Sequence, residues 1–236
     1  MNSPQGLYDP AFEHDSCGVG FVVNVSGERT HQVVADGVTV LMNLMHRGAV
    51  GGDLKSGDGA GILCQVPHGF LEDVCTASGF SLPAPGGYGV GMLFMPREEQ
   101  EREAARGLVA RTVQQERGTV LGWRSVPVDA SCLGDTAAGT MPHVAQVFVA
   151  FEGLSASELE QRLYITRKRI EAAAAREGYP LEQFYVVSFS SRTVVYKGMF
   201  FAPQLARFYA DLSDRRFTSA IAVVHQRYST NTFPSW

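Results

Sequence analysis

A cysteine stands directly before a short apolar run near the N-terminus, and this arrangement constrains the fold more than any other stretch of the chain. The run over residues 19–25 predicts a buried strand that starts at Gly18, and Cys17 directly precedes this strand. Glycines at positions 18 and 20 allow a neighbouring backbone or a substrate to approach closely. The residues alone leave two interpretations of Cys17 open: a reachable nucleophile, or a small hydrophobic residue of the core.

Strands and helices do not alternate along the chain as regularly as a doubly wound fold requires. Apolar runs predict strands, listed here by residue range: 18–25, 62–66, 88–95, 119–128, 144–151, 184–190, 193–197 and 217–224. Helical spacing predicts helices over these ranges: near 36 to 48, 68–75, 97–117, 155–178 and 203–212. The two strands on either side of Ser191 and Arg192 are predicted to form a hairpin. The pattern indicates one α/β or α+β domain with antiparallel sheets and outer helices.

The composition is that of a globular chain with a sizeable core and argues against two classes of partner. Apolar residues make up 45% of the chain and charged residues 19%, with a net charge of -4. This balance gives no basic footprint for nucleic acid and no polybasic membrane signal. The polar leader, residues 1–16, lacks the apolar region of a secretory signal. No apolar run reaches the roughly 18 residues of a membrane span. We therefore expect a cytoplasmic protein.

The four cysteines and the glycine-rich segment show no familiar metal or nucleotide motif. No two cysteines have the CxxC spacing of a zinc or thioredoxin-type site, and Cys64 lies inside an apolar run. A reducing compartment is the better interpretation for a large chain with few cysteines. Residues 48–61 contain six glycines but neither phosphate-binding glycine pattern. We therefore expect no metal and no bound cofactor in this chain.

Three blocks in a fixed order carry a resemblance to a known family. They are HDSCGVGF at 14–21, HRGAVGGDLKSGDGAGIL at 46–63 and HQRYSTNTFPSW at 225–236. Together they resemble the start of glutamate synthase large subunits, a class II glutamine amidotransferase domain of the N-terminal-nucleophile kind. The resemblance implies an α+β fold, a four-layer αββα sandwich incomplete at its C-terminus. It also implies that residues 1–16 are a removed leader and that residues 17–236 are part of the amidotransferase domain.

The resemblance implies that the thiol of Cys17 attacks the side-chain amide of glutamine. A free thiol titrates near pH 8.5 and an α-amine near pH 8, so the α-amine can accept the thiol proton and return it to ammonia. One residue then supplies both nucleophile and base, but only when nothing precedes it. A conventional dyad between Cys17 and His46 or His225 is disfavoured.

The same resemblance assigns substrate contacts. Arg227 would hold the α-carboxylate of glutamine through two hydrogen bonds, with Tyr228 and Thr230 beside it. Arg47 would border the Cys17 site, and Asp58 would orient Arg47 or the new α-amine. The residues by themselves leave other roles open: a surface ion pair for Arg227, helix-end charge for Arg47 and a turn aspartate for Asp58.

The C-terminal end departs from the family pattern. The family's oxyanion Asn-Gly pair follows the third block, whereas Asn231 is followed by Thr232 and the sequence stops at Trp236. We therefore expect a fragment with a weakened site, an unpaired sheet edge near residues 223–224 and a poorly ordered tail from His225 onward. Low solubility and little glutaminase turnover would follow.

The resemblance also bears on cofactors and partners outside this chain. It implies FMN and an iron-sulfur cluster in the full-length protein. It also implies the remainder of the synthase chain as a partner, with a small NADPH-oxidising subunit or ferredoxin. Ammonia from L-glutamine would be transferred to 2-oxoglutarate. Two alternatives stay open: the glutaminase module of another class II amidotransferase, and a catalytically inactive fragment.

Overall fold

Two four-stranded antiparallel sheets and six helices make up the part of the chain that the structure describes. The computed structural model describes residues 18–48, 53, 55–226 and 235–236. The strands are β1 (Gly18–Val23), β2 (Ala60–Gln65), β3 (Gly89–Met95), β4 (Thr119–Ser125), β5 (His143–Ala150), β6 (Tyr185–Ser190), β7 (Thr193–Gly198) and β8 (Ile221–Gln226). The helices are α1 (His31–Asn43), α2 (His68–Ala77), α3 (Glu99–Gln115), α4 (Asp135–Thr140), α5 (Ala156–Arg176) and α6 (Ala202–Phe208). The strand orders are β1-β8-β2-β7 and β4-β5-β3-β6.

Most predicted strands and helices are confirmed, and α5 shows why local signals suffice there. Ser155 caps the helix, its hydroxyl accepting a hydrogen bond from the N–H of Glu158, whose carboxylate accepts in return from the N–H of Ser155. Helix α1 differs, because it begins at His31 and not near residue 36. The side chain of Thr30 accepts a hydrogen bond from the N–H of Val33 and so fixes the earlier start.

The predicted hairpin between β6 and β7 is wrong. β6 pairs with β3, whereas β7 pairs with β2, so the link through Ser191 crosses from one sheet to the other. The carboxylate of Glu160 on α5 accepts hydrogen bonds from the N–H of Ser191 and from the hydroxyls of Ser190 and Ser191. Each of the two strands thus pairs with a strand that is distant in sequence. The side chain of Glu160 holds the connection between β6 and β7 in place.

The predicted unpaired edge at residues 223–224 is also wrong. β8 lies inside the first sheet and pairs with β1 on one side and β2 on the other. Val224 is accordingly buried, with 1% of its surface exposed. The poorly ordered tail predicted from His225 onward is not found at residues 225–226 or 235–236, which are the described parts of that segment. Gln226 ends β8, and the buried Trp236 donates its indole N–H to the carbonyl of Ala137. Residues 227–234 lie outside the described residues.

The structure supports a mixed α/β fold with two antiparallel sheets, and the four-layer order remains a prediction. Helix α1 covers one face of the first sheet, where Gly37 lies against Ala222. The opposite face of β1 carries the exposed apolar side chains Val19, Phe21 and Val23. None of the helices within the described ranges is long and apolar enough to cross a bilayer.

Close packing of α1 on the sheet gives a test of this architecture. A Cβ atom at Gly37 would lie 2.6 Å from the Cβ of Ala222. We expect Gly37→Ala to lower the free energy of unfolding by about 1–3 kcal/mol through overpacking, although alanine favours a helix by up to about 1 kcal/mol. Chemical denaturation measures the change.

The matched control is Gly107→Ala in the middle of α3. Within 4 Å, its new Cβ would meet only the flexible end of Arg111, at 3.3 Å. Alanine should therefore stabilise the protein there, by up to about 1 kcal/mol. An equal gain at both positions would contradict the packing of α1 on β8.

Candidate functional site

One end of the first sheet brings together segments that are far apart in the sequence. In the paired register, Gly18 at the start of β1 lies beside Gln226 at the end of β8, and Gln226 lies beside Ala60 at the start of β2. Cys17 is bonded to Gly18, and Arg227 is bonded to Gln226. Cys17 and Arg227, two of the predicted site residues, are therefore each bonded to a member of the same row of paired residues, which consists of Gly18, Gln226 and Ala60.

Arg47 lies against this row. It ends the 3₁₀ turn Met45–Arg47, which follows α1 and is separate from it. The Cβ of Arg47 lies 3.0 Å from the position that a Cβ on Gly18 would occupy, so a larger residue at position 18 would displace the turn. The arrangement brings the base of the Arg47 side chain next to the residue that follows Cys17. Its role in substrate binding remains a prediction.

A buried amide that the sequence analysis did not identify lies in the same place. Gln226 is 1% exposed, and its side chain packs against Gly48, where a Cβ would lie 2.3 Å from Nε2. The only sequence signal was a polar residue at the end of the apolar run of β8, and strand periodicity does not distinguish a buried glutamine from an exposed one.

The end of the glycine-rich segment is anchored to the protein and is not a free surface loop. The carboxylate of Asp53 accepts hydrogen bonds from the hydroxyl of Ser56 and from the backbone N–H groups of Ser56, Lys55 and Thr136. These bonds, led by the Ser56 hydroxyl, hold the pKa of Asp53 well below its usual range. Ser56 and Gly57 are buried, and the segment leads directly into β2 at the candidate site.

The remaining predicted residues divide into two groups. Asp58 is described and half-buried two positions before Ala60. Its orienting role remains a prediction. Four residues lie outside the described part of the chain: Cys17, Arg227, Tyr228 and Thr230.

The three described cysteines have the properties of core residues. Burial raises the pKa of Cys64 and of Cys75 to about 12, and it raises the pKa of Cys132 as well. These thiols are protonated at neutral pH and are poor nucleophiles. Across the described residues, no three His, Cys, Asp or Glu side chains are grouped to hold a metal ion.

A cavity of about 480 Å³ opens at the other end of the same sheet. Its lining includes Arg29, Gln65, His68 and Arg192. Gln65 is the last residue of β2, five strand positions from Ala60, a distance of about 17 Å. This cavity is therefore separate from the candidate site.

Comparisons with known proteins find a family match and similar proteins. The family described as "Glutamine amidotransferases class-II" matches residues 17–236. The chain is 43% identical over 238 residues to the glutamate synthase [NADPH] large chain of Bacillus subtilis, covering 100% of this chain and 15% of that protein. It is 43% identical over 231 residues to the glutamate synthase [NADPH] large chain of Azospirillum brasilense, covering 97% and 15%. It is 41% identical over 231 residues to the chloroplastic ferredoxin-dependent glutamate synthase of Spinacia oleracea, covering 98% and 14%.

Alkylation of the native protein tests the burial of the described thiols. At pH 7.5, we expect iodoacetamide to modify Cys64 and Cys75 about 10³-fold more slowly than free cysteine, because their pKa values near 12 leave little thiolate. Peptide mass spectrometry measures the labelled fraction. The denatured protein serves as the control, in which both sites should react freely. Fast labelling of either cysteine in the native protein would refute their assignment to the core.

Proposed function

The chain belongs to the class II glutamine amidotransferases, and we propose that Cys17 is the nucleophile with which it hydrolyses the side-chain amide of glutamine. The family match begins at residue 17. The leader, residues 1–16, would have to be removed to free the α-amine of Cys17. The proposed domain is therefore residues 17–236.

The observation that carries this proposal is the register of the first sheet. It aligns Gly18 with Gln226, and so brings the covalent neighbours of Cys17 and Arg227 to one row. The turn that ends at Arg47 packs against the same row. Hydrolysis of the glutamine side chain requires a nucleophile, and a guanidinium is suited to hold the α-carboxylate of the substrate.

The reaction follows from the chemistry of an N-terminal cysteine. The α-amine of Cys17 accepts the thiol proton, and the thiolate attacks the side-chain carbonyl carbon of glutamine. The C–N bond breaks, the proton passes to the leaving nitrogen and ammonia departs, which leaves a thioester on Cys17. Water then attacks the thioester, the C–S bond breaks and glutamate is released with the thiol restored.

Substrate recognition is assigned to the segment that follows β8. The guanidinium of Arg227 would meet the α-carboxylate of glutamine with two parallel hydrogen bonds, and Tyr228 and Thr230 would add contacts beside it. Arg47 would border the nucleophile, and Asp58 would orient Arg47 or the α-amine. The half-buried position of Asp58, just before β2, supports a role at this end of the sheet.

The four-layer αββα order that the family resemblance implies is a further part of the proposal, and the exposed apolar face of β1 is a place where a further layer can pack. Val19, Phe21 and Val23 are 58%, 68% and 48% exposed, and they point to the face opposite α1. A sheet stacked on this face would remove their surface from water, as in a sandwich.

The wider role of the protein is inferred from its relatives. The chain spans about 15% of the length of the glutamate synthases that it matches. We propose that the ammonia is transferred to 2-oxoglutarate, in a cytoplasmic protein that works with a small NADPH-oxidising subunit or with ferredoxin. FMN and an iron-sulfur cluster would belong to the rest of that protein.

Replacement of the nucleophile tests the proposal directly. In the complete protein, we expect Cys17→Ser to lower glutamine hydrolysis by at least about 10³-fold, because the hydroxyl is a far weaker nucleophile. Glutamate formation from free ammonia should persist. The matched control is Cys132→Ser, since the Cys132 thiol donates to the carbonyl of Asp129 and a hydroxyl can do the same. Glutaminase activity retained in Cys17→Ser would disprove the assignment.

The proposed carboxylate contact gives a second test. We expect Arg227→Ala to raise the KM for glutamine by about 10- to 10²-fold, with a much smaller fall in kcat, because a charged hydrogen-bond pair is lost in ground and transition states alike. Arg227→Lys should recover little of the loss, since an ammonium cannot reproduce the two parallel N–H donors of a planar guanidinium. Steady-state kinetics with glutamine measure both parameters.

The control arginine for this test is Arg216, which forms exposed ion pairs with Asp214 and Asp73. Arg216→Ala should leave the KM unchanged. A wild-type KM in Arg227→Ala would remove Arg227 from the glutamine site and leave it the role of a surface ion-pairing residue.

A further inference from the structure

The cavity at the far end of the first sheet, away from the candidate site, is positively charged. Arg29 and Arg192 line it, whereas none of its described lining residues is an aspartate or a glutamate. The chain as a whole has a net charge of -4, so this concave region has a sign opposite to that of the protein. Its volume of about 480 Å³ lies within the range of about 300–1,000 Å³ that is common for small-molecule sites.

Contacts with a single residue, Val66, bring the two arginines together. The N–H of Val66 donates to the carbonyl of Arg192 at 2.9 Å, and the carbonyl of Val66 accepts from the guanidinium of Arg29 at 3.3 Å. Val66 directly follows β2 and is itself buried, so both contacts are made to a fixed part of the fold. Two residues that are distant in the sequence therefore meet at one cavity.

Neither arginine has its charge offset by a protein carboxylate. The guanidinium groups of Arg29 and Arg192 form no ion pair in the part of the chain that the structure describes. Arg216 shows the contrast, because its exposed guanidinium pairs with both Asp73 and Asp214. Two unpaired guanidinium groups at a cavity leave charged N–H donors available to an anion.

The first turn of α2 adds to the positive character of the cavity. His68 is the first residue of α2 and lines the cavity, and no side chain caps the helix at Pro67. A helix N-terminus carries partial positive charge and N–H groups that favour an anion. The ring of His68 contacts the hydroxyl of Tyr88 at 3.2 Å. Glu72 lies 3.9 Å from that ring, but its side chain is 57% exposed to water and is not part of the lining.

We propose that this cavity binds a small organic anion through a phosphate or carboxylate group, which Arg29 and Arg192 hold with charge-assisted hydrogen bonds. A planar guanidinium presents two parallel N–H donors that match two oxygens of either group. Apolar parts of the lining, such as Pro85 and Ile221, would contact the carbon part of the ligand.

This site is independent of the chemistry proposed for Cys17. Gln65, which lines the cavity, is about 17 Å along β2 from the end of the sheet where the candidate site lies. A ligand in the cavity would therefore leave the candidate site open to glutamine.

Arginine footprinting of the complete protein tests the proposal. Phenylglyoxal modifies accessible guanidinium groups, and peptide mass spectrometry gives the labelling rate of each arginine. Inorganic phosphate is titrated at constant ionic strength. At about ten times the dissociation constant, labelling of Arg29 and Arg192 should slow about 10-fold, since protection follows the occupancy of the site.

Arg176 is the control within the same molecule. It is exposed near the other end of α5, about 30 Å along the helix from Ala156 at the cavity. Its labelling rate should not change with phosphate. Equal slowing at Arg176, or equal slowing by potassium chloride in place of phosphate, would overturn the proposal, because both would be effects of the general ionic medium.

Two further probes identify the group that is recognised. Glycerol 2-phosphate is a phosphate monoester, and succinate is a dicarboxylate. Protection by the two phosphate compounds alone would assign the site to a phosphate group, protection by succinate alone to a carboxylate, and protection by all three to either group. Absence of protection with all three probes would overturn the proposal.

A substitution then tests the role of the arginine pair. Arg192→Met removes a guanidinium that has no described hydrogen-bond partner, and the phosphate concentration for half-protection of Arg29 should rise by at least about 10-fold. Arg176→Met removes the same charge away from the cavity and should leave that concentration unchanged. An unchanged value in Arg192→Met would overturn the shared site, and the wild-type footprint decides the question if this variant fails to fold.

The footprint does not depend on glutamine hydrolysis. If Cys17→Ser remains active, the proposed function fails while a saturable footprint at Arg29 and Arg192 still supports the anion site. If the footprint is absent and Cys17→Ser is inactive, the anion site is overturned and the nucleophile stands.

Discussion

The insertion of β8 between β1 and β2 is the constraint on which the candidate site depends. It joins a strand that begins at Gly18 to one that ends at Gln226, and so closes a loop of some two hundred residues. The side-chain period of two fixes this register, because a slip by one residue would turn the buried Ala222 and Val224 to the opposite face. The position of the site is therefore set by the packing of the sheet on α1.

A buried polar network links the two sheets and complements the apolar core. The guanidinium of Arg124 on β4 forms two hydrogen bonds with the carboxylate of Asp211, and the hydroxyl of Tyr196 on β7 donates to the same carboxylate. Gln146 on β5 contacts both Arg124 and Tyr196. Every member has a partner, which is the condition under which a buried ionic network is tolerated. The network fixes the approach of β7 to the second sheet.

The candidate site differs from this network, because one of its buried polar side chains has no described hydrogen-bond partner. Gln226 is buried without a described partner, and the absence of a side chain at Gly18 and Gly48 lets both residues pack closely against it. An unsatisfied amide reduces stability, and such features concentrate where a protein performs chemistry. The contrast between the satisfied network around Asp211 and the unsatisfied amide at Gln226 is the clearest structural pointer to a functional location.

The sequence by itself determined the elements whose signals are local. The apolar run after Cys17 predicted β1, and the Ser155 capping box predicted the start of α5, because strand period and helix caps are written in neighbouring residues. The ordered motif blocks determined the family. Only the tertiary structure decided that β6 and β7 join different sheets, that β8 lies between two strands, and that Gln226 is buried beside Gly18. These features depend on which distant segments pair and on what each side chain then packs against, and no local pattern encodes that choice.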